Sequence, residues 1–155
     1  MLFCLERGYI RSAYDNYTIP NGLCWDKDGM FYHIDTPTKR VEAYRVEGGI
    51  HLRKEKTAVN LENCEGVPDG MCIDEEGMLW IAMWGGSQVL RCDTVSGEII
   101  ECLKVPDRNV SCCTFGGEDM DILYITTARD EMDVGGEVYG HRTNTKGEKA
   151  NRYGK

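Results

Sequence analysis

The sequence predicts an all-β chain assembled as about three blades of a β-propeller. Three observations predict it: a segment that recurs at blade-sized spacing, turn chemistry at the same place in the copies, and no sustained 3.6-residue apolar period anywhere. Asn21-Gly-Leu-Cys-Trp-Asp-Lys-Asp-Gly-Met-Phe-Tyr32 lies 48 positions ahead of Asp69-Gly-Met-Cys-Ile-Asp-Glu-Glu-Gly-Met-Leu-Trp80. Gly, Cys, Asp, Gly and Met coincide, and an aromatic residue closes both copies. A weaker third copy starts 42 positions further on, at Ser111, and runs through Cys113-Thr-Phe-Gly-Gly117 to Ile122-Leu-Tyr-Ile125. A radial stack of four-stranded sheets is the architecture that uses such a repeat.

Each copy opens on a short apolar strand, passes through an acidic glycine-containing turn and returns as a second strand. The second strands are Met30 to Asp35, Met78 to Met83 and Ile122 to Thr127, all rich in aliphatic and aromatic side chains. Asp26-Lys-Asp-Gly29 and Asp74-Glu-Glu-Gly77 have the composition of hairpin turns, and Glu118-Asp-Met-Asp121 is the same turn in the third copy. These charges are expected in solvent. Further strands follow at Val41 to Val46, Val89 to Asp93 and Glu98 to Leu103, while Gly85-Gly86 and Gly116-Gly117 read as turns or bulges. The tail from Gly135 to Lys155 is glycine-rich and basic, with short strands expected at Glu137 to Tyr139 and Ala150 to Tyr153. Nothing marks a linker, so residues 1 to 155 read as a single partial propeller domain.

The formal net charge is -8, from 26 acidic and 18 basic residues, a field that repels phosphate backbones and anionic lipid. No nucleic-acid and no membrane partner is expected; a cation or a neutral polar substrate fits better. The apolar run at the start stops at Glu6 and Arg7, too soon for a secretion signal or a membrane span, and a cytoplasmic setting is the default. The eight cysteines are scattered without a Cys-x-x-Cys pair and mostly lie in apolar runs, which reads as buried free thiols.

Most local motifs reduce to structure. Asp26-Lys-Asp-Gly29 begins like a helix-loop-helix calcium loop, but its twelfth position, which needs a bidentate Glu, is Pro37. His33, His51 and His141 have no zinc-site spacing, and His33, inside a strand, is expected to be partly buried and hydrogen-bonded. No Gly-x-Ser-x-Gly elbow is present. The position that opens each repeat differs in kind. Asn21 and Asp69 stand at the same place in successive copies, each between a proline and a glycine. The innermost strand of a blade lines the central channel, so equivalent side chains at its start converge on the axis. An amide oxygen and a carboxylate there suit a hard cation such as calcium or magnesium. Asn-Gly and Asp-Gly are also common turn dipeptides, so these residues alone leave ligand and turn level.

Five ordered segments carry a resemblance that separates the two readings. Tyr17-Thr-Ile-Pro-Asn-Gly-Leu-Cys-Trp25, Tyr32-His-Ile-Asp-Thr-Pro-Thr-Lys-Arg-Val41, Val67-Pro-Asp-Gly-Met-Cys-Ile-Asp74, Leu79-Trp-Ile-Ala-Met-Trp-Gly-Gly86 and Phe115 through Arg129 together resemble the SMP-30/gluconolactonase/regucalcin family over roughly residues 9 to 130. The resemblance implies the C-terminal half of a six-bladed propeller with one divalent cation on its axis. In the family that cation is held by a Glu from the first blade, the Asn of Pro-Asn-Gly and the Asp of Pro-Asp-Gly; the last two map onto Asn21 and Asp69. No Gly-Glu-Gly-Pro-type segment, the usual source of the Glu, lies in residues 1 to 20, and the sugar-contacting residues of the family belong to the same other half. The implied reaction is hydrolysis of a sugar lactone. The cation (calcium, zinc, manganese or magnesium) would polarise the carbonyl and acidify a water, with Asp69 as ligand and proton acceptor. Two donors make a poor cage, so weak metal binding and little turnover are expected of these residues alone. A calcium-binding regulatory role and a non-catalytic propeller remnant are the alternatives. Independently of the family, an open arc of about three blades exposes two blade faces, and self-association through them is expected.

Overall fold

The computed structural model describes residues 1–6, 8–129 and 134–150. Three antiparallel sheets follow one another along the chain as a meander, each beginning at the innermost strand. Blade I holds β3 (Pro20–Trp25), β4 (Met30–Asp35), β5 (Arg40–Glu47) and β6 (His51–Asn60) in that spatial order. Blade II holds β7 (Val67–Ile73), β8 (Leu79–Trp84), β9 (Gln88–Cys92) and β10 (Ile99–Lys104). Blade III holds β11 (Val110–Gly116), β12 (Ile122–Thr127) and β13 (Val138–Arg142). Ahead of them, β1 (Leu2–Glu6) and β2 (Tyr9–Tyr14) form a separate hairpin. The first strands β3, β7 and β11 are neighbours, as the inner strands of adjacent blades must be.

Strand pleating sends alternate side chains to opposite faces, and β4 and β8 are buried on both, whereas β12 leaves Tyr124 and Thr126 exposed. Tyr32 and Ile34 of β4 join Val41, Ala43, Leu79, Ile81 and Met83 in a core between blades I and II. The alternate residues of β8, Trp80 and Ala82, face the other way and meet Cys113, Phe115, Leu123 and Ile125 between blades II and III. Trp80 and Phe115 pack edge to face across that second interface, with ring centroids 5.7 Å apart. This two-sided burial explains the near-continuous apolar runs Met30–Asp35 and Leu79–Trp84.

The expected bounds of β4 and β12 are reproduced residue for residue, and β5, β8, β9 and β10 lie within one or two residues of expectation. The hairpin β1–β2 and strand β6 were not expected. In β6 the run Arg53-Lys-Glu-Lys56 sits on the exposed outer edge of blade I, where packing asks for no apolar alternation. In the tail, β13 falls at Val138–Arg142, and the chain then crosses beneath blade II: the Glu75 amide donates to the Lys146 carbonyl at 2.8 Å and the Glu148 amide to the Ile73 carbonyl at 3.1 Å. The strand expected at 150 to 153 lies, beyond Ala150, outside the described residues. All eight cysteines carry free thiols, as expected, but only Cys92 and Cys113 are buried, and Cys102 and Cys112 are exposed.

The repeat-equivalent turns are hairpins, as expected, but the aspartate that opens each turn is not left to solvent. Asp26 Oδ1 accepts the amides of Asp28 (3.0 Å) and Met30 (2.8 Å), and Asp74 Oδ1 accepts those of Glu76 and Met78 (both 3.0 Å). The closing aromatic six residues on completes the motif: the Tyr32 hydroxyl donates to Asp26 Oδ2 at 3.2 Å, and Trp80 Nε1 donates to Asp74 Oδ2 at 2.9 Å. Asp74 is 1% exposed and also ion-paired to Arg91 at 2.7 Å. The carboxylate satisfies amides that the tight turn strands, which is why Asp opens both copies.

Candidate metal centre at the propeller axis

Asn21 and Asp69 occupy the second and third positions of β3 and β7, and in both blades the ladder to the next strand shifts register there. The shift falls between Pro20 and Leu23 in one blade and between Pro68 and Met71 in the other. Proline removes an amide from the ladder and the shift frees the next residue from pairing, so its side chain is turned out of the sheet. The following glycine admits the neighbouring blade. A methyl group on Gly22 would lie 2.7 Å from the Asp69 carbonyl oxygen and 2.8 Å from the Met71 amide; one on Gly70 would lie 2.5 Å from Cys112 Sγ. Pro-Asn-Gly and Pro-Asp-Gly are therefore one device: break the ladder, present a side chain, let the next inner strand close in.

The structure brings the two predicted residues together. Asp69 is half-buried, and the Asn21 side chain lies near enough to bear on its carboxyl. Burial pushes the Asp69 carboxyl above its ordinary value, with the Asn21 amide working in the other direction. Among the described residues no ion pair engages Asp69. Thr36, which sequence reasoning missed, orients the pair: Asn21 Nδ2 donates to Thr36 Oγ1 at 3.0 Å, and Thr36 Oγ1 donates to the Pro68 carbonyl at 2.8 Å. With Nδ2 committed to Thr36, Asn21 Oδ1 is left to coordinate. Asp35 secures the approach to Asn21 by accepting the Ile19 amide at 2.8 Å and the Thr18 amide at 3.1 Å. Neither role had a sequence signal beyond the segment Asp35-Thr-Pro-Thr38, because each partner lies in another strand or blade.

The third copy departs from the other two. Ser111 stands at the equivalent register shift of β11, between Val110 and Cys112, but its hydroxyl is turned to its own blade, 2.9 Å from Thr126 Oγ1. Cys112 stands beside the site, its thiol pKa raised chiefly by burial and to a lesser extent by Asp69. Among the described residues no group of three or more His, Cys, Asp and Glu is placed to hold a metal ion, so the donors here are an amide and one carboxylate. His33 corrects its expectation: it is 1% exposed, and neither ring nitrogen has a hydrogen-bond partner. It stacks on Tyr17 with centroids 4.1 Å apart, and burial, partly opposed by Asp35, lowers its pKa to about 4. Among the described residues no helix is long and apolar enough to cross a membrane.

Comparison with known proteins agrees with this geometry. The sequence model described as SMP-30/Gluconolactonase/LRE-like region matches residues 2–129. A Sulfolobus acidocaldarius protein is 43% identical over 141 residues, covering 88% of this chain and 50% of the relative. Human regucalcin is 40% identical over 132 residues, covering 83% of this chain and 44% of regucalcin. Among solved structures, a calcium-binding protein, regucalcin, from Agrobacterium tumefaciens superposes with a TM-score of 0.85 at 27% identity, covering 94% of this chain and 53% of that one. The chain thus spans about half the length of the relatives it matches. Blade order, the two Pro-x-Gly register shifts and a match that runs over most of the sequence place this chain in the SMP-30/Gluconolactonase/LRE-like family.

Proposed function

We propose that Asn21 and Asp69 are two oxygen donors of an axial divalent-cation site that serves the hydrolysis of sugar lactones. The observation that supports it is the pairing itself: two repeat-equivalent side chains, turned out of adjacent inner strands at matching register shifts, stand side by side with the carboxylate engaged by no cationic side chain among the described residues. The donor set fits a hard divalent ion, calcium, magnesium or manganese, with zinc also accepting such oxygens. Asn21 supplies a neutral oxygen whose orientation Thr36 sets, and Asp69 supplies the negative charge. A bound cation would lend Lewis acidity to a lactone carbonyl and acidify a water. Asp69 is the proton acceptor for the attacking water, and partial burial, which raises its basicity, favours that task. Such ions take about six to eight oxygens, so a complete cage draws on oxygens beyond this pair.

A calcium-binding role without turnover is the second reading. It is favoured by the Agrobacterium tumefaciens regucalcin, described as a calcium-binding protein, which superposes over 94% of this chain. Calorimetry with calcium, manganese, magnesium and zinc, beside a gluconolactone hydrolysis assay, separates the two. Cation-dependent hydrolysis lost in Asp69→Asn supports the enzyme, and calcium binding without hydrolysis supports the second reading. If Asp69→Asn leaves cation affinity unchanged, or no cation binds at millimolar concentration, the site assignment fails.

A further inference from the structure

We propose that Cys72 and Cys113 form a reversible disulfide that staples blade II to blade III, with a small hydroperoxide as the oxidant. Their sulfurs lie 3.9 Å apart, on the inner strands β7 and β11 of adjacent blades. The two residues are 41 positions apart in the chain, so the contact is made by the fold and not by a local turn. Bond formation brings the sulfurs to about 2.05 Å, a closure of about 2 Å that side-chain rotation and a small strand shift supply. The same two strands already meet closely two residues earlier, where a methyl group on Gly70 would lie 2.5 Å from Cys112 Sγ and 2.8 Å from its Cα.

Packing alone does not ask for two thiols here. Cys24 is the repeat equivalent of Cys72 and packs against the core between blades I and II. On β7 the residue in the place of Cys113 is Met71, which pairs with Ile81 of β8 as Cys113 pairs with Ile125 of β12. A thioether thus fills at one blade interface the position that a thiol takes at the next. Metal ligation suits the pair less well. The hydrogen bond with Cys113, and then burial, raise the Cys72 pKa and so oppose the thiolate forms that a metal needs. A disulfide carries no charge, and burial does not oppose it.

Access and orientation set the order of the steps. Cys72 is partly exposed and lines a cleft of about 260 Å³ with Cys24, Thr114 and Lys149, whereas Cys113 is 2% exposed. Cys113 Sγ donates to the Trp80 carbonyl at 3.2 Å, which leaves its lone pairs free to face Cys72. With hydrogen peroxide, the Cys72 sulfur bonds to one oxygen as the O–O bond breaks, giving a sulfenic acid and one water. The Cys113 sulfur then attacks the Cys72 sulfur: the S–S bond forms, the S–O bond breaks, and the departing hydroxide takes the Cys113 proton as a second water. Two thiols give up two electrons, one peroxide is reduced to two waters, and a dithiol reductant reverses the change. The raised Cys72 pKa slows the first step without changing its product. None of these steps involves Asn21 or Asp69.

The test treats the full chain, first reduced, with hydrogen peroxide, alkylates the remaining thiols in denaturant and reads the digest by mass spectrometry. A peptide pair linked through Cys72 and Cys113 is expected, assigned by fragmentation, retained in Cys112→Ala and lost on treatment with dithiothreitol. Oxidation should raise the urea midpoint by about 1–2 M, because the bond closes a long loop in the unfolded chain. Cys113→Met, which copies Met71, should show neither the link nor the shift on oxidation, and nor should Cys72→Ala at the less buried position. Cys72 left unreacted, an oxygenated Cys72 beside a free Cys113 thiol, a link to Cys112 instead, or an oxidised chain with an unchanged midpoint overturns the proposal.

Discussion

Replacing Gly70 by alanine tests whether the close approach of inner strands holds the axial site together. The added methyl would lie 2.5 Å from Cys112 Sγ, 2.7 Å from its Cβ and 2.8 Å from its Cα. Carbon contacts are comfortable at about 3.5–4.0 Å, so β7 and β11 must part by about 1 Å. Overpacking of that size costs about 1–3 kcal/mol. Gly70 does not have a positive φ, so the substitution also recovers about 0.4–1 kcal/mol by restricting the unfolded chain. A net loss of about 1–2 kcal/mol follows, which a urea slope of about 1–3 kcal/mol per molar converts into a midpoint lowered by about 0.5–1 M. Cation affinity by calorimetry should fall as well, because Asp69 is the adjacent residue. Cys112→Ala should not rescue it, since Cβ and Cα stay where they are. Gly77→Ala is the control: Gly77 has φ +83° and nothing within 4 Å of a Cβ, so it should cost about 1–2 kcal/mol through backbone strain alone and leave the cation affinity intact. Gly70→Ala at parental stability and affinity, or full rescue by Cys112→Ala, would refute the reasoning.

Two further outcomes follow from buried polar groups. His33 has its folded pKa lowered to about 4, chiefly by burial, against 6.5 unfolded. Above pH 6.5 the imidazole is neutral in both states and adds no pH dependence; as pH falls toward 4 only the unfolded chain takes the proton, so stability drops by up to about 3 kcal/mol across that window. Urea midpoints between pH 7 and 4 should therefore fall less steeply for His33→Phe, and equal slopes would show that His33 is not the group responsible. Asp74→Ala strips partners from two turn amides, Trp80 Nε1 and the Arg91 guanidinium at once, and should cost about 3–5 kcal/mol by denaturation, whereas a cost below about 1 kcal/mol would mean that solvent reaches the turn.

What could be read from the residues was what repeats or what packs on both faces. The 48-residue offset located two of the three inner strands, both acidic turns and the axial pair, because each blade solves the same local problem with the same side chains. Strands β4 and β8 were legible because they have almost no solvent face. Strand β6 was not: on an outer edge, Lys and Glu serve as well as Val, and its pairing with β5 is a backbone matter. Nor was the complete burial of His33 without a hydrogen-bond partner, since the ring that covers it, Tyr17, belongs to a segment with no repeat equivalent. Thr36 was invisible for a related reason. Its hydroxyl joins Asn21 of its own blade to a carbonyl of the next, and no local pattern encodes a contact between blades.

The three copies of the opening position separate scaffold from chemistry. At each the ladder slips, and at the first two the next inner strand comes close, so that geometry belongs to the fold. The side chain presented changes from Asn to Asp to Ser, and only the first two are available to the axis; the third is held by Thr126. A purely structural role for the motif would not distinguish them, because any small polar residue fits a register shift. Nor would it leave a half-buried carboxylate with a raised pKa and no cationic partner among the described residues, since the fold does provide one where a carboxylate is structural, as Arg91 does for Asp74. The same chain thus contains both treatments of an aspartate. Asp74 is neutralised from within, and Asp69 is held open beside a neutral oxygen donor, an arrangement whose cost is understandable if its charge is met by a cation from outside.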